Sequence, residues 1–234
     1  MKNNKSFLCL MLARGGSKSV PGKNLKPLLG KPLIFYTIKA VQESRVFDRF
    51  ILSTDSQEIG DIAKNYGVEV PFLRPKELAQ DNSCALDGVV HALKWVEAND
   101  KSYDYVQYIF PTAPLRTAED ILNAIEILFD KNADMVMSVC RTSHPMWWAN
   151  VLPPDHSLKG FVKPEYRRKN RQELPCTYRI NGAIYVAQWD VFYEKKDWLE
   201  QNSYAYVMPP ERSIDIDSPL DFKLAALLLK EQTE

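Results

Sequence analysis

The chain has 234 residues, of which 45% are hydrophobic and 26% are charged, an ordinary composition for a globular protein. This length provides for one sizeable core and favours a single domain with an insertion over two separate domains. Thirty basic residues balance thirty acidic ones, which argues against a nucleic-acid partner or an anionic-membrane surface, so any anion site must be local.

Targeting and redox signals are absent from the sequence pattern. No apolar run approaches the about 18–20 residues that a membrane span needs, and the first apolar stretch is too short for a typical signal peptide. The cysteines are widely separated and form no CxxC pair, so neither a zinc site nor a disulfide framework is indicated. We therefore expect a cytoplasmic protein with reduced thiols.

The first predicted element is a buried parallel strand, FLCLML, that ends at a glycine loop, LARGGSKSVPGKN, at residues 12–24. Gly15 and Gly16 are expected to give the backbone positive φ and to bring its amides close to an anion. The loop also carries three cations and an amide donor: Arg14, Lys18, Lys23 and Asn24. A polyphosphate would fit this loop, although water-facing lysines are the alternative because neither GxxxxGK[ST] nor GxGxxG is present.

Strands and helices then alternate, which predicts a parallel sheet with helices packed on it. The predicted helices cover residues 33–43, a stretch capped by Asp55 or Ser56 that ends at 66, residues 86–98 and residues 118–129. The predicted strands are 49–54, 68–72, 105–110 and 135–139. A polar loop at 73–85 and a proline-rich turn at 111–116 follow two of these strands.

The alternation stops between residues 144 and 180, where we predict an insertion of β-hairpins and loops with a basic run at 166–171. The core resumes with strands at 181–186 and 204–208 and a helix at 219–230. This divides the chain into a catalytic unit, 1–143 with 181–234, and an inserted arm, 144–180. The adjacent Trp147 and Trp148 either meet a second subunit or pack on their own domain.

Two features converge on a ligand site. Ligands of doubly wound sheets lie at the carboxyl ends of strands, so the glycine loop, the 73–85 loop and the 111–116 turn are expected to line one cleft. In SIDID at residues 213–217, Asp215 and Asp217 fall on the same side of an extended segment. Such carboxylates repel unless a cation such as Mg²⁺ joins them; the alternative is that Asp217 caps the last helix.

Five blocks in order resemble the signature of the acylneuraminate cytidylyltransferases, which join CTP to a sialic acid or a related nine-carbon keto-sugar acid: LARGGSKSVPGKN, LRPKELAQDNS, PTAPLR, RQELPCTYRINGAIYV and SIDID. They extend over nearly the whole chain. The resemblance implies a Rossmann-like nucleotidyltransferase fold, a mostly parallel doubly wound sheet, with a small β-rich dimerisation insertion. It also implies a Mg²⁺-dependent homodimer whose arm contributes residues to the partner's sugar site.

The resemblance also implies roles for individual residues. The catalytic set is Arg14, Lys18, Lys23 and Asp217. The nucleotide contacts are Arg14, Gly15, Gly16, Lys23, Asn24, Arg74 and Ser83. The metal ligands are Asp215 and Asp217, and the sugar contacts are Arg171, Tyr185 and Phe110, with Arg179 a weaker candidate. Phe110 departs from the family, which commonly has Gln there, and this favours a sugar with a less polar substituent.

We predict that the anomeric hydroxyl of a nonulosonic acid attacks the α-phosphate of CTP and expels pyrophosphate. Positioning and charge neutralisation supply most of the catalysis in such chemistry, so no protein nucleophile is needed. One alternative is activation of an eight-carbon keto-deoxy acid on the same fold. Another is a non-catalytic sensor of nucleotide and sugar acid, whereas an NAD-dependent oxidoreductase is disfavoured by the missing GxGxxG.

Overall fold

The computed structural model describes residues 4–195, 199 and 202–231. Within them lie a six-stranded sheet, a small hairpin and five α-helices. The strands are β1 (Phe7–Leu12), β2 (Pro27–Leu28), β3 (Lys31–Pro32), β4 (Arg49–Ser53), β5 (Tyr105–Ile109), β6 (Met135–Arg141), β7 (Tyr178–Gln188) and β8 (Ser203–Met208). The helices are α1 (Leu33–Ser44), α2 (Gln57–Asn65), α3 (Ala85–Asn99), α4 (Ala118–Asp130) and α5 (Pro219–Glu231).

The large sheet has the strand order β4-β1-β5-β7-β6-β8, and β2 pairs with β3 in the hairpin. Within the large sheet, every pairing that excludes β7 is parallel, whereas β7 runs antiparallel to both β5 and β6. The prediction of a mostly parallel sheet with helices is therefore confirmed. Because β7 is reversed, its first residues lie at the sheet edge where the other strands end.

The core has two layers because β1 is buried on both faces. Phe7, Cys9 and Met11 pack in one cluster with residues of α1, α2 and α4. Leu8, Leu10 and Leu12 pack in the opposite cluster with α3 and the short π-helix Val191–Lys195. Full burial of each large aliphatic side chain is worth about 1.5–3 kcal/mol, so the run FLCLML alone anchors the sheet.

Residues 68–72 do not form the predicted strand. The segment makes only two isolated parallel bridges with β4, Ile51 to Glu69 and Thr54 to Leu73. Pro71 lies between these bridges and has no N–H to donate, so a continuous ladder cannot form there. The segment nevertheless runs beside β4 and delivers the following loop to the carboxyl edge of the sheet.

The helix caps decide two alternatives. Ser56 rather than Asp55 caps α2, because its side chain accepts a hydrogen bond from the Ile59 amide. Ser218 rather than Asp217 caps α5: its hydroxyl accepts from the Asp221 amide at 3.3 Å, and Asp221 accepts from the Ser218 amide at 2.7 Å. Asp55 and Asp217 therefore remain available for other contacts.

The inserted arm is not β-rich, and the prediction of β-hairpins is wrong. Residues 144–177 are all described, and none lies in a strand; short 3₁₀ turns occur at Met146–Trp148, Pro164–Tyr166 and Arg171–Glu173. Prolines at five positions of this stretch remove ladder donors: 145, 153, 154, 164 and 175. Residues 178–180, assigned above to the arm, belong to the core strand β7.

Both tryptophans of the arm bond to the arm itself. The Trp147 indole donates to the Pro175 carbonyl at 3.1 Å, and its ring packs on Tyr166 with 4.8 Å between centroids. The Trp148 indole donates to the Tyr166 carbonyl at 3.4 Å. These contacts tie distant parts of the arm together. As a separate matter, no helix among the described residues is both long and apolar enough to cross a bilayer.

Candidate active site

A cleft of about 260 Å³ lies at the carboxyl edge of β1 and β5. The glycine loop, the 74–85 loop and the turn that follows β5 line it together. Its walls include seven of the residues with predicted roles: Arg14, Gly16, Lys23, Asn24, Arg74, Ser83 and Phe110. Lys18 lies at the rim of the cleft. Its side chain is 86% exposed and pairs with Asp81, which lines the cleft.

The glycines of the loop work differently from the prediction. Gly15 and Gly16 do not have positive φ, which occurs instead at Gly22, with φ of 63°. Gly15 is required by close packing: a Cβ there would lie 3.1 Å from the Cβ of Ser56. Its amide donates to the Asp55 carboxylate at 2.9 Å and is therefore already used, whereas Gly16 faces open space.

Two loop cations share one carboxylate, that of Asp81. Arg14 Nη2 lies 2.9 Å from Asp81 Oδ1, and Lys18 Nζ lies 2.5 Å from Asp81 Oδ2. The Lys18 hydrogen bond holds the pKa of Asp81 below its usual range, and Arg14 adds to the effect. The cationic side of the cleft thus already binds an anionic group, supplied by the neighbouring loop.

Lys23 joins the glycine loop to the carboxylate segment. Its ammonium donates to the Ile216 carbonyl at 2.5 Å and lies 3.3 Å from Asp217 Oδ1. Asn24 lies beside it in the turn Lys23–Leu25 and donates to the Arg14 carbonyl at 2.9 Å. Both side chains are over nine-tenths buried, so they brace the loop as well as lining the cleft.

Asp215 and Asp217 lie in different environments. Asp217 is 80% exposed, whereas Asp215 Oδ1 is buried and has no hydrogen-bond partner among the described residues. Burial raises the pKa of Asp215, a Thr112 hydrogen bond opposes the shift, and the Asp217 charge adds to it. A buried, unsatisfied carboxylate oxygen near a second carboxylate fits a cation ligand.

The described residues contain no group of three or more His, Cys, Asp or Glu side chains placed to hold a metal ion. A cation at the Asp215–Asp217 pair would therefore need further oxygen ligands from a substrate or from water. Gly182 makes room for the pair: its φ is 72°, and a Cβ there would lie 3.0 Å from Asp215 Oδ2.

The 74–85 loop contributes Arg74 and Ser83. Arg74 is only 6% exposed, its Nε has no partner among the described residues, and its amide donates to the Thr54 carbonyl at 2.7 Å. Burial lowers the pKa of the Arg74 guanidinium, and the Asp55 carboxylate opposes that shift. The Ser83 hydroxyl donates to the Glu77 carbonyl at 2.8 Å and accepts from the Gln80 amide, so it closes the loop's own turn.

One aromatic ring, that of Phe110, lines the cleft, whereas Tyr108 and Tyr185 are not among the described residues that line it. Phe110 packs edge-on against Tyr108 and Tyr185, with centroid distances of 5.7 and 6.2 Å. Tyr185 is buried and stacks on Tyr108 at 4.6 Å. Burial raises the pKa of Tyr185 to about 12, and the Asp215 charge adds to the shift. Phe110 therefore presents an apolar surface that two tyrosines hold in place.

Arg116 anchors the turn behind Phe110. It is buried and donates to the Phe110 carbonyl at 3.2 Å, to the Thr37 hydroxyl at 2.8 Å and to the Ala183 carbonyl. Burial lowers its pKa to about 10, which leaves the guanidinium charged near neutrality. These bonds join the end of β5 to β7 and set the distance between Phe110 and Tyr185.

Arg171 is not brought to the cleft within one chain. It is exposed and lines a separate small pocket with Arg141, Thr142 and Cys176. Arg179 donates to the Ser213 carbonyl at 2.9 Å and so supports the carboxylate segment. The sequence analysis assigned no role to Asp81. Its position as a charged residue in a polar loop ahead of a helix could have indicated a partner for the cations of the glycine loop.

A mostly parallel sheet with helices on both faces, a cationic loop after its first strand and paired carboxylates at the same edge define an α/β nucleotidyltransferase. The solved structures agree on the fold. A CMP:2-keto-3-deoxy-manno-octonic acid synthetase complexed with CTP superposes with a TM-score of 0.71 at 16% identity, covering 97% of this chain and 99% of that one. A 4-diphosphocytidyl-2C-methyl-D-erythritol synthase from Anaerococcus prevotii gives 0.65 at 17% identity, covering 97% and 96%.

The family follows from the sequence match. Residues 8–210 match the family model described as Cytidylyltransferase, and the chain belongs to this family of enzymes. The pseudaminic acid cytidylyltransferase of Campylobacter jejuni is 32% identical over 100% of this chain and 99% of its own length. A CMP-N,N'-diacetyllegionaminic acid synthase from Legionella pneumophila is 35% identical over 97% and 98%. An Escherichia coli N-acylneuraminate cytidylyltransferase is 33% identical over 97% of this chain, which spans 52% of that protein.

Proposed function

We propose that the protein transfers CMP from CTP to a nonulosonic acid and releases pyrophosphate. The three relatives described above are named for neuraminic, pseudaminic and legionaminic acids, and each is at least 32% identical to this chain. The observation that carries the proposal is the cleft itself, where cationic side chains line a space together with an aromatic ring and where one of them, Lys23, also pairs with the Asp217 carboxylate. Because its substrate CTP is a cytoplasmic metabolite, the same proposal assigns the enzyme to the cytoplasm.

The triphosphate is proposed to contact Arg14, Lys18 and Lys23. Negative charge grows on pyrophosphate as the bond to the α-phosphorus breaks, and fixed cations at that point stabilise the transition state. Asp81 now neutralises two of these cations and must give way to the phosphates. Arg74 and Ser83, on the facing loop, are proposed to contact the nucleotide, since both residues line the same cleft.

Mg²⁺ is proposed to bind Asp215 and Asp217. When bound, such an ion would supply positive charge to the phosphate oxygens and help to lower the pKa of the attacking hydroxyl. The chain supports it through the unsatisfied Asp215 Oδ1, which a hard cation would satisfy, and through Lys23, which holds Asp217 near the phosphate side. The anomeric hydroxyl releases its proton to water as its oxygen forms the new bond to the α-phosphorus, in line with the departing pyrophosphate, whose oxygen takes the electrons of the bond that breaks.

The sugar acid is proposed to lie against Phe110 and Tyr185. An apolar ring at this position favours a substituent that needs no hydrogen bond, as in a deoxygenated, diaminated relative of sialic acid. The proposed carboxylate contact, Arg171, suits a bidentate pair but lies in a different pocket of the same chain. We therefore propose that Arg171 acts in the sugar site of a second copy, in a homodimer.

An exposed apolar row supports the homodimer. Ile180, Val139 and Val207 lie side by side across β7, β6 and β8, and Ile180 and Val207 are 49% and 54% exposed. The row adjoins the base of the arm that carries Arg171, so a second copy seated here would bring its arm towards this sheet edge. Sedimentation should give a dimer, and Ile180→Asp with Val207→Asp should give a monomer.

Pyrophosphate release tests the reaction directly. The wild-type protein with CTP and Mg²⁺ is assayed against N-acetylneuraminic, legionaminic, pseudaminic and eight-carbon keto-deoxy acids. Release with a nine-carbon acid is the expected result. A preference for the eight-carbon acid would establish the alternative enzyme, and CTP binding without release from any acid would establish a sensor.

A further inference from the structure

A short segment behind the glycine loop connects two walls of the cleft. β1 and β4 are neighbours in the sheet, and residues 54–56 follow β4 where the glycine loop follows β1. Asp55 Oδ1 accepts a hydrogen bond from the Gly15 amide at 2.9 Å. Neither Asp55 nor Gly15 is among the described residues that line the cleft, so this bond acts from behind the loop.

The glycine loop rests directly on this segment. A Cβ on Gly15 would lie 3.1 Å from the Cβ of Ser56 and 3.8 Å from Asp55 Oδ2. Because Gly15 packs this closely against the side chains of Ser56 and Asp55, we expect movement of Asp55 to displace Gly15 and its cleft-lining neighbours, Arg14 and Gly16. Asp55 does not cap α2, so its carboxylate is available for this contact.

The same segment holds the opposite wall. The Thr54 carbonyl accepts from the Arg74 amide at 2.7 Å, and Thr54 forms a bridge with Leu73. Burial and the nearby Arg14 charge both disfavour the charged form of the Arg74 guanidinium, whereas the Asp55 charge favours it. A carboxylate here therefore lowers the cost of keeping two arginines beside one cleft.

We infer that Asp55 is a positioning residue for polyphosphate binding: it fixes the Gly15 amide and balances the buried Arg74, so that Arg14 and Arg74 face the cleft together. The inference rests on the proposed function. It assigns Asp55 two separable properties, a hydrogen-bond acceptor for the loop and a negative charge for the arginine.

Three variants separate these properties. Asp55→Ala removes acceptor and charge, Asp55→Asn keeps an oxygen acceptor, and Asp48→Ala is the matched control. Asp48 accepts from the Phe7 amide at 2.8 Å, the same kind of bond at the other end of β1. Inorganic tripolyphosphate is titrated calorimetrically into each protein, thermal melting records stability, and pyrophosphate release with CTP supplies kcat and KM.

Asp55→Ala should weaken tripolyphosphate binding and raise the KM for CTP by about tenfold or more, as expected when charge-assisted contacts are misplaced. Asp55→Asn should recover part of this loss, because the loop keeps its acceptor while Arg74 still lacks the negative charge. Asp48→Ala should lower the melting temperature without changing binding. If Asp55→Ala melts below the assay temperature, Asp55→Ser replaces it.

Binding by Asp55→Ala equal to wild type would overturn the inference, as would an equal loss in Asp48→Ala or no recovery in Asp55→Asn. Failure of the proposed function has a different signature. In that case wild type binds tripolyphosphate but releases no pyrophosphate with any keto-sugar acid. The tripolyphosphate titrations still test the role of Asp55.

Discussion

Lys23 combines a structural and a chemical task. Its stem is buried, and its ammonium joins the Ile216 carbonyl and the Asp217 carboxylate. In the free protein this charge balances the carboxylate segment, and in the proposed complex it also faces the phosphates. One side chain therefore links the two halves of the cleft, whose segments are nearly the whole chain apart in sequence.

Lys23→Met should keep the buried stem but lose the charge. We expect kcat/KM for CTP to fall by about a hundredfold or more, the loss typical when a transition-state charge contact is removed. Stability should fall by only about 1 kcal/mol, because one carbonyl loses a partner. Pyrophosphate release and urea unfolding measure the two effects. Lys39→Met, which removes an exposed i,i+4 pair with Glu43, should change neither.

Phe110→Gln should shift the sugar preference towards N-acetylneuraminic acid, because the amide supplies the hydrogen-bonding group that the phenyl ring lacks. Phe110→Leu is the matched control, since it stays apolar and should keep the wild-type ranking. Relative kcat/KM values for the panel of acids measure the effect. An unchanged ranking in both variants would show that position 110 does not determine selectivity.

Asp120 predicts a pH-dependent stability. It is buried, accepts from Tyr206 at 2.9 Å and pairs with Arg212 at 2.8 Å. The Arg212 hydrogen bond and its companions outweigh burial and hold the pKa of Asp120 below the usual 3.8. A depressed pKa stabilises the folded state at every pH above the pKa that Asp120 has in the unfolded chain. This contribution is lost as the pH falls through the lower pKa that Asp120 has in the folded state.

Asp120→Asn should therefore cost about 3 kcal/mol of unfolding free energy between pH 5 and 8, since it leaves Arg212 without its charge partner. The difference from wild type should shrink below about pH 4. Urea unfolding at several pH values measures it. Glu119→Gln, an exposed neighbour in the same first turn of α4, should show no such trend; a constant difference down to pH 3 would contradict the assignment.

At the scale of elements, the irregular part of β7 shapes the carboxylate site. The register between β6 and β7 shifts between Met137 and Val139, opposite the Asn181-Gly182 corner. The Ser138 hydroxyl donates to Asn181 Oδ1 at 2.6 Å and accepts from the Ile184 amide at 2.7 Å, so these bonds bridge the irregularity. The corner leaves room for Asp215 beside Gly182.

Gly182→Ala and Gly160→Ala form a matched pair. Both positions have positive φ, 72° and 77°, so each alanine should cost about 1–2 kcal/mol of stability. At Gly160 nothing lies within 4 Å of the added Cβ, whereas at Gly182 the Cβ meets Asp215 Oδ2 at 3.0 Å. Turnover with Mg²⁺ should therefore fall in Gly182→Ala alone. Equal turnover in the two variants would separate Asp215 from catalysis.

Local pattern predicted most elements but not their long-range relations. Apolar patterning, together with a cap signal for α2, located the five α-helices of the described residues and most of their strands, because burial leaves a period in the chain. The direction of β7 could not be predicted, since a run such as AIYV is buried in either orientation. Likewise the burial of Lys23 depends on Ile216, and the anion beside Arg14 comes from Asp81; neither contact has a local signature.

At the scale of the whole molecule, the proposed homodimer makes a distinctive prediction. Lys23→Met and Arg171→Ala are each expected to be inactive. If Arg171 serves the partner's site, mixed dimers contain one site with both residues intact. When equal amounts of the two variants exchange subunits at random, about half of the dimers are mixed, and one of the two sites in each mixed dimer is intact. About a quarter of wild-type turnover should then return. No recovery after subunit exchange would assign Arg171 to its own chain or to no site.

The arm leaves and re-enters the sheet at a single point. The Thr142 amide donates to the Thr177 carbonyl at 2.9 Å, and the hydroxyl oxygens of the two threonines lie 2.6 Å apart. The ends of β6 and β7 are therefore joined at the base of the arm. Residues 151–156 are all exposed. A chain cut there becomes two polypeptides, and the second carries the interior strand β7, without which β5 and β6 have no common neighbour. We therefore expect a chain cut in this segment to regain the sheet only when both fragments are present.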